Sequence, residues 1–156
     1  MNGVHEPQTR VYLAGPLFGM ADQRFNCDLK KALQTIHSYT VHLPQSLGAP
    51  QDPDLVWQTC RSEIERSDVL VANFDGPIAD DGTALEAEAA LNLGKPVILF
   101  RTDVRGHESE GFNLMFRDPR FRKVTVRPDV LIEYLAEKLH TAIQEELHKS
   151  FSREQA

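Results

Sequence analysis

Cysteine is scarce in this chain: there are two in 156 residues, Cys27 and Cys60. Their separation is neither a zinc-ligand spacing nor a disulfide framework. Reduced thiols in the cytoplasm are the expectation. No apolar run approaches the ~18 residues of a membrane span. The opening MNGVHEPQTR is polar and carries no secretory-signal pattern. Positive charge is short as well: 17 Lys and Arg against 23 Asp and Glu leave a formal net charge of −6. A general nucleic-acid binder presents a basic face, so neither a nucleic-acid nor a membrane partner is expected, although a small phosphate site is compatible. The six histidines are scattered singly, with no i, i+4 pair, so neither a metal nor a cofactor is expected. Internal repeats and low-complexity tracts are lacking.

What is present reads as one ordinary globular domain, 41% hydrophobic and 26% charged, with loose tails at 1–9 and 150–156. A domain of this length buries roughly 70% of the surface its unfolded chain exposes, enough for a core without staples. Strand-like runs at 10–14 (RVYLA), 39–43 (YTVHL), 68–74 (DVLVANF), 96–100 (PVILF) and 123–126 alternate with helical spacing at 21–36, 54–67, 83–93 and 129–149. Asp54 is a candidate N-cap for the second helix, and Gly94 ends the third. The first helix places Phe25, Leu29, Ala32, Leu33 and Ile36 on one face. The last carries Val130, Leu131, Tyr134, Leu135, Leu139 and Leu147. This alternation predicts an α/β three-layer sandwich around a five-stranded, mainly parallel sheet, flavodoxin-like or Rossmann-like. Such sheets bind ligands beyond the carboxyl ends of their strands. That places the chemistry in 15–20, 75–86 and the long polar loop 101–120.

The sharpest segment is Asp80-Asp81-Gly82-Thr83-Ala84-Leu85-Glu86. It permits a capping box, with Thr83 capping a helix and Glu86 reaching back. It also sets Glu86 in a first helical turn at the ligand edge, with Asp80 and Asp81 nearby, and clustered carboxylates serve as acid, base or nucleophile. Glu88 does not share a face with Glu86 and reads as a solvated or interface charge. The first turn, Tyr12 to Phe18, has neither GxGxxG nor GxxxxGK. Gly15 permits a tight bend there, and Phe18 is either a stacking surface or core. Phe112-Asn113-Leu114-Met115 either anchors the long loop or presents Asn113 to a ligand.

Together these pieces resemble the nucleoside 2-deoxyribosyltransferases. The family's opening turn is matched by VYLAGPLF. Its Asp-x-Gly-x-x-x-Glu helix start is matched by Asp80 to Glu86, followed by Gly94-Lys95-Pro96-Val97-Ile98-Leu99. Its late Asn-Leu-Met is matched by Asn113-Leu114-Met115. The resemblance spans roughly 10–135. It implies transfer of a 2-deoxyribosyl group between purine and pyrimidine bases, part of nucleoside salvage. Glu86 would be the nucleophile at the anomeric carbon, and Tyr12 would orient it. Asp80 would accept the sugar 5′-hydroxyl. Asn113 and Met115 would reach a neighbouring subunit's site, which implies a dimer-based homo-oligomer. Gly15, Phe18 and Gly82 would complete the substrate surface. Nucleosides and free bases are the implied partners. Related enzymes that hydrolyse nucleoside 5′-monophosphates carry Ser in place of Asp80, so Asp80 points to a free nucleoside.

Two positions depart from the family pattern. Many members carry an Asp where this chain has Cys60, so leaving-base activation falls to Cys60, Asp75, Glu63, water or backbone groups. Glu88 stands where Gly is usual. Two further readings stay open: an N-glycoside hydrolase acting on nucleosides or their 5′-monophosphates, and a nucleotide-binding module without chemistry.

Overall fold

The computed structural model describes residues 8–47, 52–107 and 111–154. Five strands, β1 (Arg10–Ala14), β2 (Thr40–His42), β3 (Val69–Asn73), β4 (Val97–Arg101) and β5 (Phe121–Thr125), alternate with α1 (Met20–His37), α2 (Pro53–Arg66), α3 (Asp81–Asn92) and α4 (Ile132–Glu154). The strand order is β2-β1-β3-β4-β5 and every pairing is parallel. This is the flavodoxin-like order, whose switch point lies between β1 and β3.

Period-2 alternation splits the core in two. Val11 and Leu13 of β1, with Val69, Val71, Ile98 and Phe100, pack against Leu29 and Leu33 of α1 and Leu135 and Leu139 of α4. Tyr12 and Ala14, with Leu70, Ala72, Val97 and Leu99, face Ile64 of α2 and Ala87 and Ala90 of α3. One residue's shift in β1 would carry Tyr12 to the wrong layer.

Several expectations change at the element ends. The α2 cap is Asp52, not Asp54: its side chain accepts from the Asp54 N–H at 2.9 Å, and Pro53 takes the first helical position. Proline suits that place because the N–H it lacks would be unpaired there. The last strand begins at Phe121, paired to Val97, rather than at 123. The closing helix begins at Ile132, so Leu131 and Tyr134 lie exposed while Ala136, Ala142 and Ile143 complete its buried stripe. It runs through 150–154, where a loose tail was expected, and 155–156 lie outside the described residues. At the other end, 1–7 lie outside them, and Thr9 is tied down by the Thr40 N–H. The loop at 101–120 holds 3₁₀ turns at Val104–His107 and Leu114–Arg117. Gly94 ends α3 as expected, in the left-handed region at φ 73°.

Candidate active site

Asp80, not Thr83, caps α3. Its Oδ2 accepts from both the backbone N–H and the hydroxyl of Thr83 at 2.8 Å. Thr83 is thereby buried inside the first turn, and the expected Thr83–Glu86 capping box does not form. An acidic cap also satisfies the helix dipole. Gly82 leaves room for this bend, since a Cβ there would stand 3.3 Å from Asp80 Oδ2. The displaced start leaves the Glu86 side chain free to turn toward the sheet.

There it meets Tyr12. The fully buried Tyr12 hydroxyl donates to Glu86 Oε1 at 2.6 Å. Burial pushes the Glu86 carboxyl up to about 7; the Tyr12 hydrogen bond opposes the rise, the Asp80 charge adds to it, and the Cys60 thiol opposes it. Burial, then the Glu86 charge, drives the Tyr12 hydroxyl far above its ordinary range, so Tyr12 remains a neutral donor. Burial likewise raises the Cys60 thiol, against the opposing Tyr12 hydrogen bond. Tyr12, Cys60 and Glu86 therefore form one contiguous group, drawn from β1, α2 and α3. A partly buried carboxyl poised near neutrality is a common mark of a functional site.

Beside them lies a pocket of about 320 Å³ between α2 and α3, lined by Val56, Trp57, Cys60, Arg61, Ile64, Gly82, Leu85, Glu86 and Ala89. Its size and mostly apolar wall fit a small organic ligand.

The other candidates are placed differently. The Asp75 carboxylate is engaged by the Thr102 N–H and hydroxyl and the Asp103 N–H. Glu63 lies against Arg10, His42 and Arg66. Neither is among the pocket's lining residues. Gly15 is buried, and a Cβ there would lie 3.1 Å from Asn73 Cβ, so the β1 turn passes close to the end of β3. Phe18 is 83% exposed, which removes the core reading. Asn113 caps the 3₁₀ turn at Leu114–Arg117 by accepting from the Met115 N–H at 3.0 Å. Met115 is exposed, while Phe112 anchors the loop against Phe74. Glu88 is exposed and accepts from Asn92.

Three features escaped the sequence reading. His42 stacks on the Tyr12 ring, with centroids 5.2 Å apart. Buried Asn26 donates to Pro16 O and to Gln45, fixing the β1 turn to the loop after β2. Arg101, also buried, bridges Asp103, Gly76 O and Gly111 O, and so ties the loops after β3 and β4 together. A polar residue in an otherwise apolar face was the available signal for Asn26 and Arg101.

Among the described residues, no group of three or more His, Cys, Asp or Glu is placed to hold a metal ion, and no helix is long and apolar enough to cross a membrane.

Comparison with solved structures places the chain among proteins of this fold. A conserved protein from Enterococcus faecalis V583 is 25% identical, with a TM-score of 0.67 over 86% of this chain and 99% of that one. A 2-deoxyribosyltransferase from Bacillus psychrosaccharolyticus is 24% identical, with a TM-score of 0.64 over 86% and 96%. The CMP N-glycosidase BcmB of Clostridium botulinum is 20% identical, with a TM-score of 0.60 over 85% and 99%. A search of curated proteins found no match. Residues 11–118, from β1 through the Asn113 turn, match the family model described as nucleoside 2-deoxyribosyltransferase. Tyr12, Cys60, Asp80 and Glu86 all fall within that match, and the chain belongs to the nucleoside 2-deoxyribosyltransferase family.

Proposed function

We propose that this protein transfers the 2-deoxyribosyl group of a 2′-deoxynucleoside from one base to another through a covalent intermediate on Glu86. The observation that carries this reading is the 2.6 Å hydrogen bond from buried Tyr12 to Glu86, which lines a mostly apolar pocket. A Glu86 oxygen attacks C1′, the C1′–N bond breaks with its electrons passing to the leaving base, and a glycosyl ester forms. An incoming base then attacks C1′ through a ring nitrogen and gives up its N–H proton to solvent, while the C1′–O ester bond breaks and its electrons return to the Glu86 carboxylate. Two displacements retain configuration, as in retaining glycosidases, and the carboxylate also stabilises the oxocarbenium-like transition state. Tyr12 holds Glu86 in place and moderates the cost of burying its charge.

Asp80 accepts the sugar 5′-hydroxyl in this reading, and its charge disfavours a 5′-phosphate. Exposed Phe18 offers the substrate a stacking surface, and Asn113 and exposed Met115 reach a neighbouring subunit's site in a dimer-based homo-oligomer. Hydrolysis is the second reading, because the same carboxylate serves when water replaces the acceptor base.

The test is a chromatographic assay of 2′-deoxyinosine with cytosine. It runs beside the donor alone and beside Glu86→Ala. The expected product is 2′-deoxycytidine, lost in Glu86→Ala. Sugar release independent of acceptor overturns transfer in favour of hydrolysis. No turnover of any nucleoside or monophosphate, with unchanged ligand affinity in Glu86→Ala, leaves only the binding module.

A further inference from the structure

α2 presents two arginines to the α2–α3 side of the sheet, and they are treated differently. Arg66 pairs with Glu63 at 3.2 Å. Arg61 is exposed and makes no hydrogen bond, ion pair or ring contact among the described residues. Glu65 stands four positions on, yet no pair forms, and Arg preceding Glu is the weaker orientation on a helix. Arg61 instead lines the pocket that contains Glu86. Trp57, four residues earlier and thus on the same helix face, lines it too and is 56% exposed. The pocket therefore sets an aromatic plane beside a guanidinium fork that has no partner among the described residues, close to the Glu86 carboxylate. Asp80, which would hold the sugar's 5′ end, is not among its lining residues. A sugar spanning Asp80 and Glu86 directs its base toward α2.

We propose that Trp57 and Arg61 form the leaving-base subsite, and that Arg61 selects 6-oxopurines by bonding O6 and N7 together. This rests on the transferase or hydrolase reading above. A guanidinium fork matches that acceptor pair, whereas adenine offers N7 beside an amino donor. The two acceptors also receive the electrons released when C1′–N9 breaks. The base departs as its anion, with the charge drawn toward Arg61, and takes a proton from solvent afterwards. Arg61 so supplies electrostatically what an acidic residue would supply by proton transfer, at a site where Cys60 is a poor acid. Trp57 gives the base a stacking plane, which is indifferent to its hydrogen-bonding edge.

The experiment measures kcat/KM for 2′-deoxyinosine and 2′-deoxyadenosine with one common acceptor, in the parent, Arg61→Met and Arg61→Lys. Thermal melts verify that each variant is folded, as an exposed helical position allows. The deoxyinosine-to-deoxyadenosine ratio should fall about tenfold or more in Arg61→Met, and less in Arg61→Lys, which keeps the charge without the fork. A ratio unchanged within about twofold in a folded Arg61→Met overturns the proposal. If the parent turns over neither donor, calorimetry of free hypoxanthine and adenine on the parent and Arg61→Met decides separately. Preferential loss of hypoxanthine binding supports the subsite even though transfer has failed. Equal binding of the two bases by the parent overturns it.

Discussion

The Tyr12 hydroxyl and Glu86 Oε1, 74 positions apart in the chain, lie 2.6 Å apart in the fold. Period-2 alternation in β1 turns Tyr12 toward the α3 layer. With Asp80 as the cap of α3, Glu86 is not drawn back into a capping box and its carboxylate meets Tyr12. The pair is the point at which strand register and helix capping meet.

Because burial holds Glu86 at about 7, kcat/KM should fall as pH drops through about 7, where Glu86, the proposed nucleophile, becomes protonated in the free enzyme. Tyr12→Phe removes a hydrogen bond that lowers the Glu86 value, so the midpoint should move to higher pH. Activity at neutrality should drop by about 10- to 100-fold. A pH–rate profile of both proteins reads the shift, and a midpoint unmoved in Tyr12→Phe would contradict it.

Glu86 should also cost stability. In the unfolded chain its carboxyl ionises near 4.5, in the native protein near 7. Between these values the native state holds the extra proton, so stability declines as pH rises and stays lowered above 7. Glu86→Gln should therefore be more stable by about 1–3 kcal/mol at pH 8 and nearly equal to the parent at pH 4. Denaturant melts at the two pH values measure the difference.

Asp80→Ser keeps an N-cap while removing a charge from the ligand edge. The repulsion removed is about 1–4 kcal/mol for each charge pair with a 5′-phosphate, depending on exposure. Steady-state kinetics should show the preference for nucleoside over 5′-monophosphate shrinking by at least about tenfold. Retention of the parent's preference would place the discrimination elsewhere.

Arg101 is 5% exposed and holds Asp103 with two hydrogen bonds, at 3.0 and 2.8 Å. Burial of Asp103 is outweighed by Arg101, the Gly76 N–H and Arg105, which bring its carboxyl down to about 2. Arg101→Met should cost about 3 kcal/mol, because it takes the donor from two backbone carbonyls, Gly76 O and Gly111 O, and removes the Arg101 hydrogen bonds of Asp103, whose carboxylate keeps those of the Gly76 N–H and Arg105. The tie's contribution is present above about pH 4 and is lost as pH falls toward 2. Thermal melts across that range, with and without Arg101, check both statements.

The sequence alone determined the layer architecture, the alternation of strands and helices, and the placement of Glu86 at the ligand edge. Those features follow from side-chain period and from residues within one helical turn of each other, so they are written locally. Tertiary structure decided the rest. It chose Asp80 over Thr83 as the cap, because only the folded turn shows which side chain reaches the free N–H groups. It committed Asp75 to the β4 loop and brought Cys60 to Glu86, since both outcomes depend on how separate crossovers land on one sheet. It left Arg61 beside the pocket without a partner among the described residues. It also set the proton affinity of Glu86, which is a property of burial and of neighbours on β1, on α2 and at the cap of its own helix.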